Sequence, residues 1–178
     1  AIEVYGWSVS YRVGKETTQE AVIGSNGENQ EITVTNSYTK YRGSLTVTKA
    51  FADGSELNAE NLTKEQKGQI TFKVEKLNGE TWEQVGNTFT LAEMENGSRT
   101  IANLELGTYR VTESSAIEGY GWSATYKVGE TETSMAALES DGDSKTVVVT
   151  NNYTKYRGSL TVTKAFADGS ELNAENLT

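Results

Sequence analysis

The sequence predicts an all-β protein, a β-sandwich, and three observations lead to that prediction. Segments in which apolar and polar residues alternate recur at short intervals along the chain. Dipeptides that favour tight turns separate these segments, namely Asp53-Gly54, Asn78-Gly79, Asn96-Gly97 and Asp141-Gly142. The composition is 35% hydrophobic and rich in Thr, Val, Tyr and Gly, which suits small β domains. Short strands spaced in this way and joined by turns are typical of a β-sandwich.

The strands follow from the alternating segments, taken in chain order. Strands are predicted at residues 45–50, 69–77, 82–85, 88–91, 99–104, 108–113, 122–128 and 146–152. Between the first two strands, residues 56–68 have a composition compatible with one or two helical turns. Residues 132–140 are a second helical candidate.

The charge and the missing residue types exclude several classes of function. With a net charge of −9, the chain does not offer the basic surface that nucleic-acid binding requires. It has no histidine and no cysteine, which rules out disulfides, zinc sites built on thiolate or imidazole, and Ser-His-Asp or Cys-His catalysis. No apolar run reaches the length of a membrane span. No cofactor and no metal are predicted.

The chain repeats part of its own sequence at an offset of 115 residues. AIEVYGWSVSYRVG at residues 1–14 matches AIEGYGWSATYKVG at residues 116–129. Residues 38–63 are identical to residues 153–178, whereas residues 64–115 occur once. Tandem copies add length or valency, which favours a stalk or a binding array over an enzyme.

These matches divide the chain into three parts. Residues 38–43 and 153–158 lack an alternating pattern and end in glycine, so we interpret them as joints. One complete β-sandwich repeat of 115 residues is predicted at residues 43–157. The C-terminal part of a preceding repeat is predicted at residues 1–42, and the N-terminal part of a following repeat at residues 158–178.

Three polar residues fall on strand faces that are otherwise apolar. Lys49 continues the apolar face of the first strand of the complete repeat. Glu113 and Asn151 end apolar rows in the same way, on two later strands. Asn152 points to the opposite face, so the pattern favours Asn151 as the inward residue.

The sequence leaves three interpretations of these residues open. Each lies at a strand end and can simply emerge into solvent. Alternatively, Lys49 and Glu113 form a buried ion pair with Asn151 as a hydrogen-bond partner. In the third interpretation, desolvation lowers the pKa of the Lys49 amine and raises the pKa of the Glu113 carboxyl. The neutral amine then attacks the Asn151 side chain with Glu113 assisting, ammonia leaves, and an isopeptide bond joins the first and last strands.

The motifs around these residues resemble those of a known family. The three motifs are GSLTVTKAF at residues 43–51, LELGTYRVTES at residues 104–114 and TVVVTNNYT at residues 146–154. They resemble the isopeptide-forming domains of Gram-positive surface proteins, the streptococcal pilin-type and CnaB-like modules of pili and fibrillar adhesins. The resemblance implies an Ig-like, CnaB-like sandwich in which Lys49 and Asn151 form an isopeptide bond with Glu113 as the catalytic residue. It also implies an extracellular location at the bacterial cell surface, anchored to the cell wall or in a pilus.

The two incomplete copies contribute single members of the same set of residues. Asn36 corresponds to Asn151, and Lys164 corresponds to Lys49. Neither has its reaction partners within the chain, so both are interpreted as orphan residues, and one intramolecular bond is expected.

Other features admit both a functional and a structural interpretation. ESDGDSK at residues 139–145 is acidic like a calcium loop but lacks the EF-hand spacing, so a hairpin turn is favoured. Aromatic residues such as Trp82 and Trp122 would suit a ligand platform, but in a small sandwich such side chains more often fill the core. No pair of carboxylates stands out for glycoside hydrolysis.

The function predicted from the sequence is a structural stalk or pilus-like repeat of a bacterial cell-surface fibre. Its expected partners are neighbouring repeats of the same chain and other chains in a fibre, with no nucleic acid and no membrane insertion. The alternative is an adhesin module that recognises host matrix or a glycan. No enzymatic activity is expected beyond a single self-crosslinking turnover.

Overall fold

The computed structural model describes residues 4–167 and 170–171. Its strands are β1 (Tyr5–Val13), β2 (Ile32–Lys40), β3 (Arg42–Phe51), β4 (Ile70–Asn78), β5 (Thr81–Gln84), β6 (Phe89–Thr90), β7 (Ser98–Glu105), β8 (Gly107–Ser115), β9 (Tyr120–Val128), β10 (Thr131–Glu132), β11 (Met135–Leu138) and β12 (Ser144–Lys155). The α-helix α1 spans Lys64–Gly68, and a 3₁₀ turn spans Leu91–Glu93.

Two five-stranded sheets form the body of the protein, which confirms the predicted all-β sandwich. One sheet has the strand order β10-β9-β12-β3-β7. The other has the order β11-β8-β4-β5, and β6 pairs with β4 outside that path. Each sheet turns one apolar face inward, and the two faces pack against each other.

The core lies between the two sheets and follows the alternation seen in the sequence. Leu45 and Val47 on β3 are fully buried, as are Val147 and Val149 on β12. Phe72 on β4 packs into the same core from the opposite sheet. Because side chains alternate between faces with a period of two, the next inward position on each strand also enters the core, whatever residue occupies it.

The first and last strands of the sandwich, β3 and β12, lie side by side and run parallel. Their ladder extends from Ser144 opposite Ser44 to Asn151 opposite Phe51. β7 continues the sheet beyond β3, and β9 continues it beyond β12. Because β3 and β12 are parallel, the chain enters the sandwich at one end of this ladder and leaves it at the other.

The segment at residues 56–68, for which the composition predicts one or two helical turns, contains α1. Thr63 caps this helix, because its hydroxyl accepts a hydrogen bond from the Gln66 backbone N–H at 3.2 Å. In return, the Gln66 side chain accepts one from the Thr63 N–H at 2.9 Å. No helix in the described part of the chain is long and apolar enough to cross a membrane.

The helical prediction for residues 132–140 is wrong, because this segment is extended. It contributes to β10 and forms β11, and β11 pairs antiparallel with β8. Ala136 and Leu138 of β11 are buried, which is the period of two expected of a strand. Pairing with the edge of β8 and burial of that face outweigh a weak local preference for helix.

β1 and β2 form a two-stranded hairpin that precedes the sandwich. Val13 lies opposite Ile32 in this hairpin. Their counterparts 115 residues later, Val128 and Val147, lie opposite each other in the sandwich. Among the described residues no second sheet covers this hairpin, so Ile32 is 41% exposed, whereas Val147 is fully buried.

The joint before the sandwich is shorter than the sequence predicts. The predicted joint covers residues 38–43, yet β2 continues to Lys40 and β3 begins at Arg42, which leaves Tyr41 between them. Residues 158–167 and 170–171 form neither helix nor strand. The rest of the predicted third repeat, residues 168–169 and 172–178, lies outside the described residues, as do residues 1–3.

Candidate functional site

Lys49, Glu113 and Asn151 meet in the interior of the sandwich. One sheet carries Lys49 on β3 and Asn151 on β12, and the opposite sheet carries Glu113 on β8. The side chains of Lys49 and Glu113 are 1% and 0% exposed, and Asn151 is 0% exposed. Asn152, by contrast, is exposed. All three side chains of the site are therefore removed from water.

The parallel ladder explains why Lys49 and Asn151 are neighbours. Val149 lies opposite Lys49, and Phe51 lies opposite Asn151. Lys49 and Asn151 are thus diagonal neighbours on the inward face, a separation that a long side chain spans. The Lys49 Nζ atom also lies 4.8 Å from the centre of the Phe51 ring.

The Lys49 amine makes two ordinary hydrogen bonds and one looser contact. Nζ donates to the carbonyl oxygens of Ala50 at 2.9 Å and Val149 at 3.0 Å. Its distance to Glu113 Oε2 is 3.5 Å, longer than the roughly 2.7–2.9 Å of a strong charge-assisted bond. A neutral amine has two N–H bonds to donate, so the geometry suits an uncharged lysine.

The Asn151 carboxamide is held by its nitrogen. Nδ2 donates a short hydrogen bond to Glu113 Oε1 and another to the Tyr153 hydroxyl at 3.0 Å. The Asn151 Oδ1 and Glu113 Oε2 atoms are both buried and have no hydrogen-bond partner in the described structure. An unpaired buried acceptor costs about 1–3 kcal/mol. A proton on Glu113 Oε2 would turn that acceptor into a donor and remove part of this cost.

Burial shifts the proton equilibria of Lys49 and Glu113 toward their neutral forms. Desolvation lowers the pKa of the Lys49 amine to about 8, although the nearby Glu113 carboxylate acts in the other direction. Desolvation also raises the pKa of the Glu113 carboxyl, opposed by Lys49 and by the hydrogen bond from Asn151. Both shifts are in the direction that nucleophilic attack needs, toward a neutral amine beside a protonated acid.

Three hydroxyl groups that sequence reasoning missed complete the site. The Tyr153 hydroxyl, next to the Asn151 carboxamide, also bonds to Ser115 Oγ at 2.8 Å. The Tyr126 hydroxyl accepts a hydrogen bond from the Glu113 backbone N–H at 3.0 Å. Tyr153 could have been found from its place two residues after Asn151 on the same strand face. The contacts of the other two hydroxyls depend on which strands face each other, and local sequence does not reveal this.

A cleft of about 470 Å³ opens beside the site. Its lining includes Lys49 and Phe51 from β3, Lys64 and Lys67 from α1, and Met94. The cleft therefore approaches β3 at Lys49 from the solvent side, although the Lys49 side chain itself is only 1% exposed.

The structure does not bring the two orphan residues into this site. Asn36 lies on β2 opposite Val9 and is exposed. Lys164 lies in the irregular segment after the sandwich and is also exposed, with its Nζ 5.0 Å from the centre of the Phe166 ring. Neither residue has the enclosed surroundings of its counterpart in the complete repeat.

The acidic segment at residues 139–145 forms a turn between β11 and β12. Asp143 Oδ2 accepts hydrogen bonds from the backbone N–H groups of Glu139 at 2.7 Å and Ser140 at 3.0 Å. Asp141 Oδ1 accepts one from the Arg42 N–H at 2.9 Å. These carboxylates stabilise the turn itself, and no group of acidic side chains suited to a metal ion occurs in the described residues.

Comparison with known proteins gives one family match. A family model described as a domain of unknown function (DUF5979) matches residues 45–154. No curated protein matches the chain.

The chain is also similar to solved structures of streptococcal pilins. The major pilin of Streptococcus pyogenes is 15% identical with a TM-score of 0.40, and the match covers 85% of this chain and 65% of the pilin. The major pilin protein T-13 of the same species is 20% identical with a TM-score of 0.34, over 84% of this chain and 61% of the pilin. The chain thus spans less than two thirds of the length of these pilins.

Proposed function

The chain belongs to the DUF5979 family, whose function is not defined, and we propose that it is a structural repeat of a cell-surface fibre tied by a Lys49–Asn151 isopeptide bond. Glu113 assists the formation of this bond, which occurs once in each folded repeat. The observation that carries the proposal is the contact of the three side chains in a dry interior, where two acceptor oxygens have no partner in the part of the chain that the structure describes.

The proposed reaction forms one C–N bond and breaks another. The lone pair of Lys49 Nζ attacks Asn151 Cγ, and the carboxamide oxygen takes up the developing negative charge. Glu113 relays a proton from Nζ to Nδ2, the atom that its Oε1 already contacts. Nδ2 then leaves as ammonia, and Glu113 ends with the proton that it held at the start. The products are one new amide and one ammonia molecule, which has the adjacent cleft as its way out.

A bond at this place suits a domain that carries tension between its ends. β3 and β12 are the first and last strands of the sandwich, and they are parallel neighbours. A pull on the two chain ends therefore loads their shared ladder in shear, and the Lys49–Asn151 bond would carry that force. The bond also closes a loop of about a hundred residues, which by the chain-entropy model stabilises the fold by roughly 4–5 kcal/mol.

The repeated hairpin supports a role in an array of domains. β1 and β2 pair in the register of β9 and β12 at an offset of 115 residues. The apolar face that the opposing sheet covers in the sandwich is the face left open in this hairpin. We infer a fibre of consecutive repeats outside the bacterial cell, in a pilus or on a wall-anchored stalk, with neighbouring repeats and other fibre chains as partners.

Intact-mass measurement of the 178-residue chain tests the proposed bond. The wild-type chain is expected to weigh less than its sequence mass by one ammonia. Lys49→Ala and Glu113→Ala are each expected to restore the full mass, because the first lacks the nucleophile and the second lacks the proton carrier. A full mass in the wild-type chain would overturn the bond and leave only a buried polar cluster.

Lys164→Ala is the matched control, because Lys164 has the same flanking sequence as Lys49. This variant is expected to keep the loss of ammonia, and Asn36→Ala is expected to keep it as well. A full mass in either control variant would show that the assignment to Lys49 and Asn151 is wrong. Fragmentation of the wild-type chain should locate the link between the peptides that contain Lys49 and Asn151.

A further inference from the structure

The connection between consecutive repeats is made by a short charged segment, Lys-Tyr-Arg-Gly, which occurs twice. We call it the junction segment, and it spans residues 40–43 and 155–158. In both copies the tyrosine N–H donates to a carbonyl of the preceding hairpin. Tyr41 donates to Val4 at 2.9 Å, and Tyr156 donates to Gly119 at 2.8 Å.

The tyrosine ring of each junction segment also packs in the same way. A Cβ atom placed on Gly6 would lie 3.2 Å from Tyr41 Cε1, and one placed on Gly121 would lie 3.2 Å from Tyr156 Cε1. A side chain at either glycine would crowd the tyrosine ring, because 3.2 Å is closer than most Cβ contacts in proteins. Since Gly6 and Gly121 are 115 residues apart, the two junction segments leave their hairpins with the same geometry.

The first junction segment contacts the sandwich that follows it. Lys40 Nζ forms a short ion pair with Glu105 Oε1, and Arg42 Nη1 lies 3.7 Å from the same oxygen. Lys76 of the same sandwich holds the other carboxylate oxygen of Glu105 at 3.1 Å. Hydrogen bonds from Lys40 and Lys76 lower the pKa of Glu105 to about 2, so this carboxylate is charged at neutral pH.

The second junction segment contacts the sandwich that precedes it. Arg157 pairs with the Glu56 carboxylate through both of its terminal nitrogens. The Lys155 backbone N–H donates to the same carboxylate. The Lys155 ammonium interacts with Glu56 only through longer-range electrostatics and makes no ion pair among the residues that the structure describes. It is therefore able to pair with a carboxylate of the sandwich that follows.

The two junction segments have the same sequence and the same tyrosine geometry. The first therefore shows the contacts of such a segment with the following sandwich, and the second shows its contacts with the preceding sandwich. We propose that each junction segment is an ionic clamp between consecutive copies of this repeat. Its arginine binds Glu56 of the preceding copy, as Arg157 does, and its lysine binds Glu105 of the following copy, as Lys40 does. The clamp thereby fixes the orientation of each copy relative to the next. It depends on the proposed tandem arrangement but does not require the isopeptide bond.

The ion pairs of the clamp act on a connection that already has little freedom. Exposed pairs of this kind are each worth only about 0–1 kcal/mol, and their side chains are between 26% and 65% exposed. However, Tyr41 is the one residue between β2 and β3, so few conformations of the connection compete. Weak ion pairs are therefore enough to favour one orientation of a copy relative to the next. Salt screens these pairs and is expected to reduce that preference.

A chain with two complete repeats tests the clamp. Residues 64–157 added after Thr178 would complete the repeat that begins at residue 158, because residues 158–178 are identical to residues 43–63. The chain has no cysteine, so Glu80→Cys in each complete repeat provides two unique positions for spin labels. The distance distribution between the labels is expected to show one narrow peak at low salt. The peak is expected to broaden in Glu56→Gln of the first repeat and, separately, in Glu105→Gln of the second, because each change removes one ion pair of the clamp.

Glu130→Gln is the control, because Glu130 is exposed and makes no ion pair in the described structure. It removes the same charge and is expected to keep the narrow peak. A broad distribution in the unsubstituted chain, or a narrow peak that survives both Glu56→Gln and Glu105→Gln, would overturn the clamp. The intact mass of each variant reports the isopeptide bond separately, so failure of the clamp is distinguishable from failure of the proposed bond.

Discussion

Lys49 and Lys164 show how strongly the chemistry of a residue depends on what encloses it. They share their flanking sequence, and each amine lies over the phenylalanine ring two residues later, at 4.8 Å and 5.0 Å. Lys49 is also enclosed by β12 and by the opposing sheet, and this burial lowers the pKa of its amine. Lys164 is exposed. The same nine residues therefore provide the buried amine that the proposed reaction requires only where the rest of the sandwich covers them.

The rate of bond formation should pass through a maximum as the pH is varied. The reactive state of the Lys49–Glu113 pair holds one proton, on the carboxyl, and leaves the amine neutral. A second proton makes an ammonium that cannot attack, and loss of the last proton leaves a carboxylate that cannot donate. With the Lys49 pKa at about 8, the rate should fall as the pH rises beyond about 8. The acidic limb should lie above pH 4.5, because burial raises the pKa of Glu113 from that ordinary value.

To measure the rate of bond formation against pH, the chain is isolated in denaturant before it has folded and is then refolded at a series of pH values. Mass spectrometry follows the loss of ammonia at each pH. Glu113→Gln should react far more slowly and lose the alkaline limb, because its carboxamide does not titrate. A wild-type rate that continues to rise up to pH 10 would contradict a protonated Glu113 as the proton carrier.

The inward direction of the three site residues could be predicted from the sequence, but their contacts could not. The period of two on each strand is enough to point Lys49, Glu113 and Asn151 toward the core. Whether inward residues of different strands meet depends on strand order and register, which are set by the whole fold. For the same reason the hydroxyls of Tyr126 and Ser115 could not be foreseen, although both touch the site.

At the scale of elements, Gly43 allows β3 to lie close to the turn before β12. A Cβ atom at this position would lie 2.7 Å from the Asp143 carbonyl oxygen and 3.1 Å from Leu138 Cδ1. The backbone cannot easily move away, because the Ser44 N–H donates to that carbonyl oxygen at 2.8 Å. Gly43→Ala is therefore expected to lower the free energy of unfolding by about 1–3 kcal/mol.

Urea unfolding of the variant and the wild-type chain measures this difference. Gly68→Ala is the matched control, because a Cβ atom at Gly68 meets nothing within 4 Å and its backbone is not left-handed. It is expected to be neutral or slightly stabilising at the end of α1. Equal unfolding midpoints for the two variants would show that the close approach at Gly43 costs nothing.

The strands were the most predictable elements, and the exceptions have physical reasons. The alternating segments predict the strands of the sandwich from β3 to β9 and β12, with ends that differ by a few residues. The helical prediction for residues 132–140 is wrong because their composition is ambiguous and pairing with the edge of β8 decides their conformation. The parallel pairing of β3 with β12 joins segments about a hundred residues apart, and no local pattern encodes it.

At the scale of the whole molecule, the proposed bond should limit how far the chain extends under force. With Lys49 joined to Asn151, the residues between them bear no tension. About a hundred residues are then withheld from extension, which corresponds to about 340 Å of contour length at roughly 3.4 Å per residue. Single-molecule pulling on the two ends should show this extra length in Lys49→Ala and not in the wild-type chain. Lys164→Ala should extend like the wild type. Full extension of the wild-type chain would contradict a covalent tie.

The parallel arrangement of β3 and β12 also determines how a series of copies would grow. Entry and exit lie at opposite ends of the sandwich, so each new copy starts where the last one stops and the series does not double back. A ten-residue strand such as β3 rises roughly 33 Å. The number of copies would then set the length of the series. Adding or removing one copy would shift the far end of the series by about three nanometres and leave the structure of every other copy unchanged.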